Sequence, residues 1–171
     1  MTSEITLRAP IREDGGEVYR LIGQCPPLDT NSLYCNLLQC THFADTSVAA
    51  LQAGQLVGFV SGYILPGRKG TLFIWQVAVG EQARGRGLAS VMLAHILDRE
   101  HCREVCFVET TITESNTASW ALFRGFAEHR AAQLESRVLF DGDRHFAGAH
   151  ASELLVRIGP LTQCESLRAS A

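Results

Sequence analysis

The chain has 171 residues, 46% hydrophobic and 19% charged, a size and composition that fit one folded domain and exclude a largely disordered polypeptide. Its formal net charge of -3 carries no global signal for nucleic acid or an anionic membrane, so a local group of arginines stands out. No stretch approaches the about 18 apolar residues of a membrane helix. "MTSEITLRAP" lacks a signal-peptide core, and Cys25, Cys35, Cys40, Cys102, Cys106 and Cys164 form no C-x-x-C pair, which leads us to expect reduced thiols, a cytoplasmic location and no metal.

"EITLRAP" sets Ile5 and Leu7 on one side and stops at Pro10, which predicts a first strand. "REDGGEVYRLIGQC" spaces Val18, Leu21 and Ile22 as a helix, its start blurred by Gly15 and Gly16. After the rigid Pro26-Pro27 turn a second helix is capped by Asn31 or Ser32, with Leu33, Leu37 and Leu38 on its apolar face. "TSVAALQAGQLVGFVSGYILP" reads as a hairpin around Ala53-Gly54-Gln55. "PGRKG" turns again, and "TLFIWQVAV" is a continuous apolar strand, buried on both sides or nearly so. The next helix carries Leu88, Met92, Leu93, Ile96 and Leu97 as a core stripe, and "EVCFVETTI" follows as a strand parallel to the one before it.

"ESNTASWALFRGF" predicts a short helix capped by Ser115 or Asn116, with Gly125 in the left-handed position after its end and Phe126 folding back. Residues 128–151 read as a hairpin or long loop, and "SELLVRIGP" as the last strand. A single domain over 1–161 with a flexible tail at 162–171 completes an α/β chain with a mixed sheet.

Chemistry concentrates at Gln82-Ala83-Arg84-Gly85-Arg86-Gly87, between an apolar strand and an apolar helix. A loop that opens a helix presents unbonded amide N–H groups at the positive end of the helix dipole. Glycines let an anion reach that backbone, and Arg84 and Arg86 add charge-assisted bonds, so the segment has the composition of a phosphate cradle. It is neither a P-loop nor a three-glycine dinucleotide motif. Its bland counterpart is a glycine-rich connector with solvated arginines.

Strand, Gln82-x-x-Gly85-x-Gly87 and helix, followed by an Asn116 helix running through Phe123 to Gly125-Phe126, resemble the Gcn5-related N-acetyltransferase (GNAT) superfamily. The resemblance implies a mostly antiparallel mixed sheet with a central parallel strand pair flanked by helices. It implies that acetyl-coenzyme A lies against Val77, Val79, Gln82, Arg84, Gly85, Arg86, Gly87, Leu88, Ala89, Asn116, Ser119 and Phe123, its pyrophosphate on the loop amides. "PPLDTNSLYCNLLQCTHF", "FIWQVAV" and "HFAGAH" followed by Glu153 are similar to the diaminobutyrate acetyltransferases of ectoine biosynthesis. That similarity implies acetyl transfer to the γ-amine of L-2,4-diaminobutyrate, an osmoprotectant pathway and a homodimer.

A substrate with two ammonium groups calls for carboxylates and aromatic walls, and Asp29, Tyr34, Trp75, Gln76, Glu109, His150 and Glu153 are the candidates. Glu109 interrupts an apolar strand, so it is either paired or functional, and it is the expected proton acceptor, directly or through water. Many members of the superfamily carry a tyrosine acid where Phe123 stands, leaving Tyr34 or solvent to return a proton to the thiolate. Direct attack by the amine needs no enzyme nucleophile, so Cys35 and Cys40 have no covalent role. His145 and His150 follow no metal-ligand spacing. The competing readings are an acetyltransferase for another small diamine or a protein N-terminus, a non-catalytic acyl-coenzyme A module, and a purely structural domain.

Overall fold

Strand β1 (Ile5–Arg8) pairs antiparallel with β2 (Val48–Gln52), which turns through Ala53 and Gly54 into β3 (Gln55–Ile64). Both turn residues adopt left-handed angles, φ 49° and 78°, which match the twist of the paired strands. The computed structural model describes residues 4–162 and Cys164. Residues up to Tyr63 with Ile74–Arg103 form one compact unit, and Ile64–Phe73 with the residues from Glu104 onward form a second.

In the first unit, helix α1 (Gly15–Gly23) buries Val18, Leu21 and Ile22 in a cluster with Cys25, Cys40, Ala49, Leu56, Phe59 and Ala78. Each large apolar side chain removed from water there contributes about 1.5–3 kcal/mol. Helix α2 (Leu33–Thr41) is capped by Ser32, whose hydroxyl accepts the Cys35 N–H at 3.1 Å. Its apolar face is not the expected one. Leu33 is 45% exposed and Leu37 and Leu38 are half-buried, whereas Asn36, Gln39 and Cys40 point inward. Helix contact rather than hydrophobicity sets this rotation: a Cβ on Gly15 would lie 2.6 Å from the Leu37 side chain, so the missing side chain is what lets α1 and α2 close together.

Strand β4 (Thr71–Val79) is buried through Thr71, Leu72, Ile74, Gln76 and Ala78, while Trp75 is 43% exposed. The expectation of burial on both sides therefore holds for one face only, because alternate residues of a strand point opposite ways. Helix α3 (Leu88–Leu97) buries all five residues of its predicted stripe. Beyond it, the Arg99 guanidinium donates to the carbonyls of Ala44, Asp45 and Ser47 at 3.1, 3.2 and 2.6 Å.

In the second unit, the 64–73 segment turns at Gly67 (φ 76°), with Leu65 and Thr71 bonded across the turn at 3.0 Å. Strands β5 (Phe107–Thr113), β6 (Leu134–Phe140) and β7 (Glu153–Ile158) pair antiparallel with β7 in the middle. Helix α4 (Thr117–His129) runs past Gly125, contrary to the expected stop there. Burial of Phe126 and Ala127 continues the apolar stripe begun at Phe123, and the left-handed residue is Ala131 instead (φ 48°). The 128–151 region, expected as a hairpin or long loop, holds the end of α4, the single strand β6 and the short helix α5 (Gly142–Phe146); the partner of β6, β7, starts beyond it at Glu153.

The strand order is β1-β2-β3-β4-β5-β7-β6, a mixed sheet in which β4 and β5 are the parallel pair. Cys106 and Cys164 are joined as a disulfide, which corrects the expectation of six reduced thiols. The Leu161 N–H bonds the Cys106 carbonyl at 2.8 Å and brings the two cysteines together across a sequence separation of 58, a pairing no local spacing announces. The rest of the expected tail, apart from Thr162, lies outside the described residues. Among the described residues no helix is long and apolar enough to cross a membrane.

Candidate active site

The glycine loop of the first unit is anchored at its start and open at its tip. The Gly80 N–H bonds the Val57 carbonyl at 2.9 Å, and Ala83, at the end of a 3-10 turn (Glu81–Ala83), is fully buried. Gly85 and Gly87 then take φ 71° and 72°, backbone angles that strain any residue with a Cβ. Nothing lies within 4 Å of where either Cβ would be, so the glycines serve backbone shape and ligand approach, not internal packing. Gly87 caps α3 with no side chain, which leaves the first N–H groups of that helix facing outward. Residues 84–87 are all exposed, and Leu88 beneath them is buried. Arg84 turns back, its Nε–H donating to the Val79 carbonyl at 2.9 Å, and the Cys25 thiol reaches the same oxygen at 3.4 Å.

A second group in this unit centres on Gln76. Its buried side-chain amide donates to the Asp29 carbonyl and accepts from the Asn31 side chain, both at 2.9 Å, and so fastens the 29–31 loop to β4. Trp75 packs with Phe43 and Tyr63, the ring centres 6.5 and 6.2 Å away. Tyr34, in the first turn of α2, is 70% exposed. Burial pushes the Cys40 thiol up to about 12, so it holds its proton and is no nucleophile at neutral pH.

In the second unit Glu109 is 2% exposed and paired. Arg68 grips both its oxygens, at 2.8 and 2.9 Å, and Arg157, opposite it on β7, donates to Oε1. Burial pushes the Glu109 carboxyl up, but the hydrogen bonds from Arg68 and Arg157 outweigh it and hold the group below its ordinary value. Arg157 also lies over the Phe107 ring, 3.8 Å from its centre. Just before β7, His150 stands 3.9 Å from Glu153 and stacks against Phe146, ring centres 4.8 Å apart. A cavity of about 500 Å³ opens beside them, lined by Glu114, Ser115, Ala151, Ser152 and Leu154. Asn116 caps α4 through its side-chain oxygen, which accepts the Ser119 N–H at 3.1 Å. Phe123 is buried in the core at 2% exposure.

Residues 16–126 match the model of the acetyltransferase (GNAT) family. The L-2,4-diaminobutyric acid acetyltransferase of Methylotuvimicrobium alcaliphilum is 57% identical over 156 residues, 91% of each chain. That of Halomonas elongata is 48% identical, over 92% of this chain and 82% of its own. A diaminobutyrate acetyltransferase from Paenibacillus lautus, solved with L-2,4-diaminobutyric acid and coenzyme A, superposes with a TM-score of 0.88 at 38% identity, covering 92% of this chain and 96% of its own. The chain belongs to the GNAT acetyltransferases, among the diaminobutyrate acetyltransferases.

Sequence reasoning missed three partners in this family member. Arg68 and Arg157 lie 41 and 48 residues from Glu109, and only a carboxylate stranded in an apolar strand hinted that they exist. Asn31 was read as a possible helix cap, yet its side chain holds Gln76.

Proposed function

We propose that the chain transfers the acetyl group of acetyl-coenzyme A to the γ-amine of L-2,4-diaminobutyrate, giving the N4-acetyl precursor of ectoine by direct attack in a ternary complex. The observation that carries this reading is the close fold and sequence match to a protein solved with both diaminobutyric acid and coenzyme A, combined with an open glycine loop on this chain. The loop amides from Arg84 to Ala89 are the proposed pyrophosphate contacts, with Arg84 and Arg86 adding charge; of these the Arg84 N–H already bonds the Glu81 carbonyl at 3.3 Å. Gln82, Asn116 and Ser119 complete the proposed cofactor contacts, whereas Phe123, expected among them, is 2% exposed and packs in the core, so it offers the cofactor no surface. The pantetheine arm adds along Val77 to Val79, and a backbone N–H of that strand steadies the oxyanion of the tetrahedral intermediate.

The attacking amine arrives protonated, its pKa near a lysine's at about 10.4, so a proton must leave before its lone pair can form the C–N bond. The carbon–sulfur bond then breaks, the thiolate departs, and a proton returns to sulfur. Asp29, Tyr34, Trp75 and Gln76 are the proposed substrate contacts of the first unit, with Tyr34 as the proton donor. Glu109, His150 and Glu153 are those of the second. The two guanidiniums on Glu109 weigh against direct proton acceptance, because each stabilises the ionised form. We therefore assign the departing proton to water and give Glu109 an electrostatic and positioning part.

The domain over 1–161, a homodimer and a cytoplasmic location belong to the same proposal. Light scattering tests the dimer. The Cys106–Cys164 disulfide weighs against a reducing compartment, so thiol counting on protein taken directly from cells tests the location: six free thiols support the cytoplasm and four overturn it. The deciding experiment is mass spectrometry of diaminobutyrate after incubation with the protein and acetyl-coenzyme A. Acetyl on the γ-nitrogen is expected, and acetyl on the α-nitrogen, or no product, overturns the reading.

A further inference from the structure

After β7 the chain of the second unit crosses the start of β5, held there by a few weak contacts and one covalent bond. Gly159 passes so close that a Cβ on it would lie 2.4 Å from the Phe107 ring and 2.7 Å from the Cys106 carbonyl. The Leu161 N–H donates to that carbonyl at 2.8 Å, and the Cys164 N–H donates to the Leu161 carbonyl at 2.9 Å. The Thr162 hydroxyl reaches the Arg130 carbonyl only at 3.4 Å. Strand pairing stops at Ile158, and no ion pair among the described residues ties down those after it. Single hydrogen bonds of this kind contribute little net stability, so the bond between Cys106 and Cys164 is the strongest tie on the segment.

That bond is open to exchange in a way no other cysteine is. Cys164 is buried, but Cys106 is half-buried, so one of the two sulfurs meets solvent. The other four cysteines are unbridged. Three of them, Cys25, Cys40 and Cys102, are buried, and burial pushes the Cys40 and Cys102 thiols up to about 12 and about 11. Cys35 is half-buried and has no bridging partner. Oxidation of the reduced chain is therefore directed to one pair, whose members lie 58 residues apart in sequence and 5.1 Å apart at their Cα atoms.

We infer that Cys106 and Cys164 form a reversible thiol–disulfide latch, which fastens the segment after β7 to the start of β5 when oxidised and releases it when reduced. The co-reactant is a low-molecular-weight disulfide of the glutathione class. The Cys106 thiolate attacks one of its sulfurs and expels a small thiolate, and the Cys164 thiolate then displaces the second one from Cys106. Two protein thiols lose two electrons and two protons, and the small disulfide takes them up as two thiols. In a reducing compartment the latch stands open until such an oxidant accumulates. Closing it also pins the Gly159 backbone against the Phe107 ring, which carries the Arg157 guanidinium 3.8 Å from its centre.

The test needs no turnover, so it stands or falls apart from the acetyl-transfer reading. The native chain is equilibrated with mixtures of reduced and oxidised glutathione, alkylated and mapped by mass spectrometry. Excess reduced glutathione is expected to open the bridge without denaturant and give six alkylated cysteines, and oxidised glutathione to restore the Cys106–Cys164 peptide and leave four. The oxidised form should melt about 5–10 °C above the reduced one, as closing a loop of this length predicts. Hydrogen exchange at the Leu161 amide should speed by about tenfold or more on reduction, with that of the β2–β3 hairpin unchanged. C164S should match reduced wild type in both measurements and ignore the glutathione ratio. A bridge that opens only in denaturant is a permanent staple and overturns the inference, as does bridging of another pair or a melting point and exchange indifferent to reduction. Should C164S fail to fold, the two redox forms of wild type decide alone.

Discussion

The glycine loop and the Glu109 group handle charge in opposite ways. The loop offers no side chain at its two turning points, leaves residues 84–87 exposed and uses the ends of a helix, so its charge is fractional and built into the backbone. The Glu109 group uses three full charges, and its one anion is sealed at 2% exposure between cations. Backbone charge needs no counterion to fold, so it can face outward and wait for a ligand. A buried carboxylate must be matched in the folded chain itself. The first arrangement is therefore sensitive to backbone shape, and the second to loss of any one partner.

The largest effect expected to test this contrast is on Glu109. E109Q removes the anion and leaves Arg68 and Arg157, both open to water, without their partner, for a loss of about 2 kcal/mol in denaturant unfolding, most of it from the buried amide's poorer hydrogen bonds. Because the folded Glu109 carboxyl lies below its ordinary value, its contribution is complete above the unfolded pKa of about 4.3 and fades as pH falls through the folded value. The stability of wild type should thus drop more steeply than that of E109Q below about pH 4, which acid titration followed by circular dichroism measures.

Next comes the loop. G87V meets no neighbour, so its cost is purely conformational, about 1–2 kcal/mol of stability by thermal melting. Calorimetry with coenzyme A should show a larger fall in affinity than that strain alone explains, and an unchanged affinity would show the loop is not the cradle. R86Q should weaken coenzyme A by about tenfold at low salt and by less at high salt, since its charge is exposed. The smallest change is N116A, which removes the cap on α4 and about 1 kcal/mol of stability without touching the glycine loop.

Legibility in the sequence followed the range of the interaction. The hairpin at Ala53-Gly54, the stripe of α3 and the caps at Ser32 and Asn116 depend on neighbours a few residues away, and all were visible. Where tertiary packing outweighed local preference, the reading failed: Gly125 sits inside α4, and α2 turns Asn36 and Gln39 inward in place of its leucines. Of the site, the loop was legible because a helix start and its glycines are contiguous. The companions of Glu109 and the Cys106–Cys164 pair were not, because each is joined only by strand register or chain return across more than 40 residues.

The Val79 carbonyl closes the account of the loop. That oxygen already receives the Arg84 Nε–H and the Cys25 thiol, and a carbonyl has two lone pairs. A molecule laid along the end of β4 cannot simply add its own amide there; it must evict one of the residents. Docking at this point is consequently a swap of donors, and the freed Arg84 is left with its charge available a few residues from the open amides.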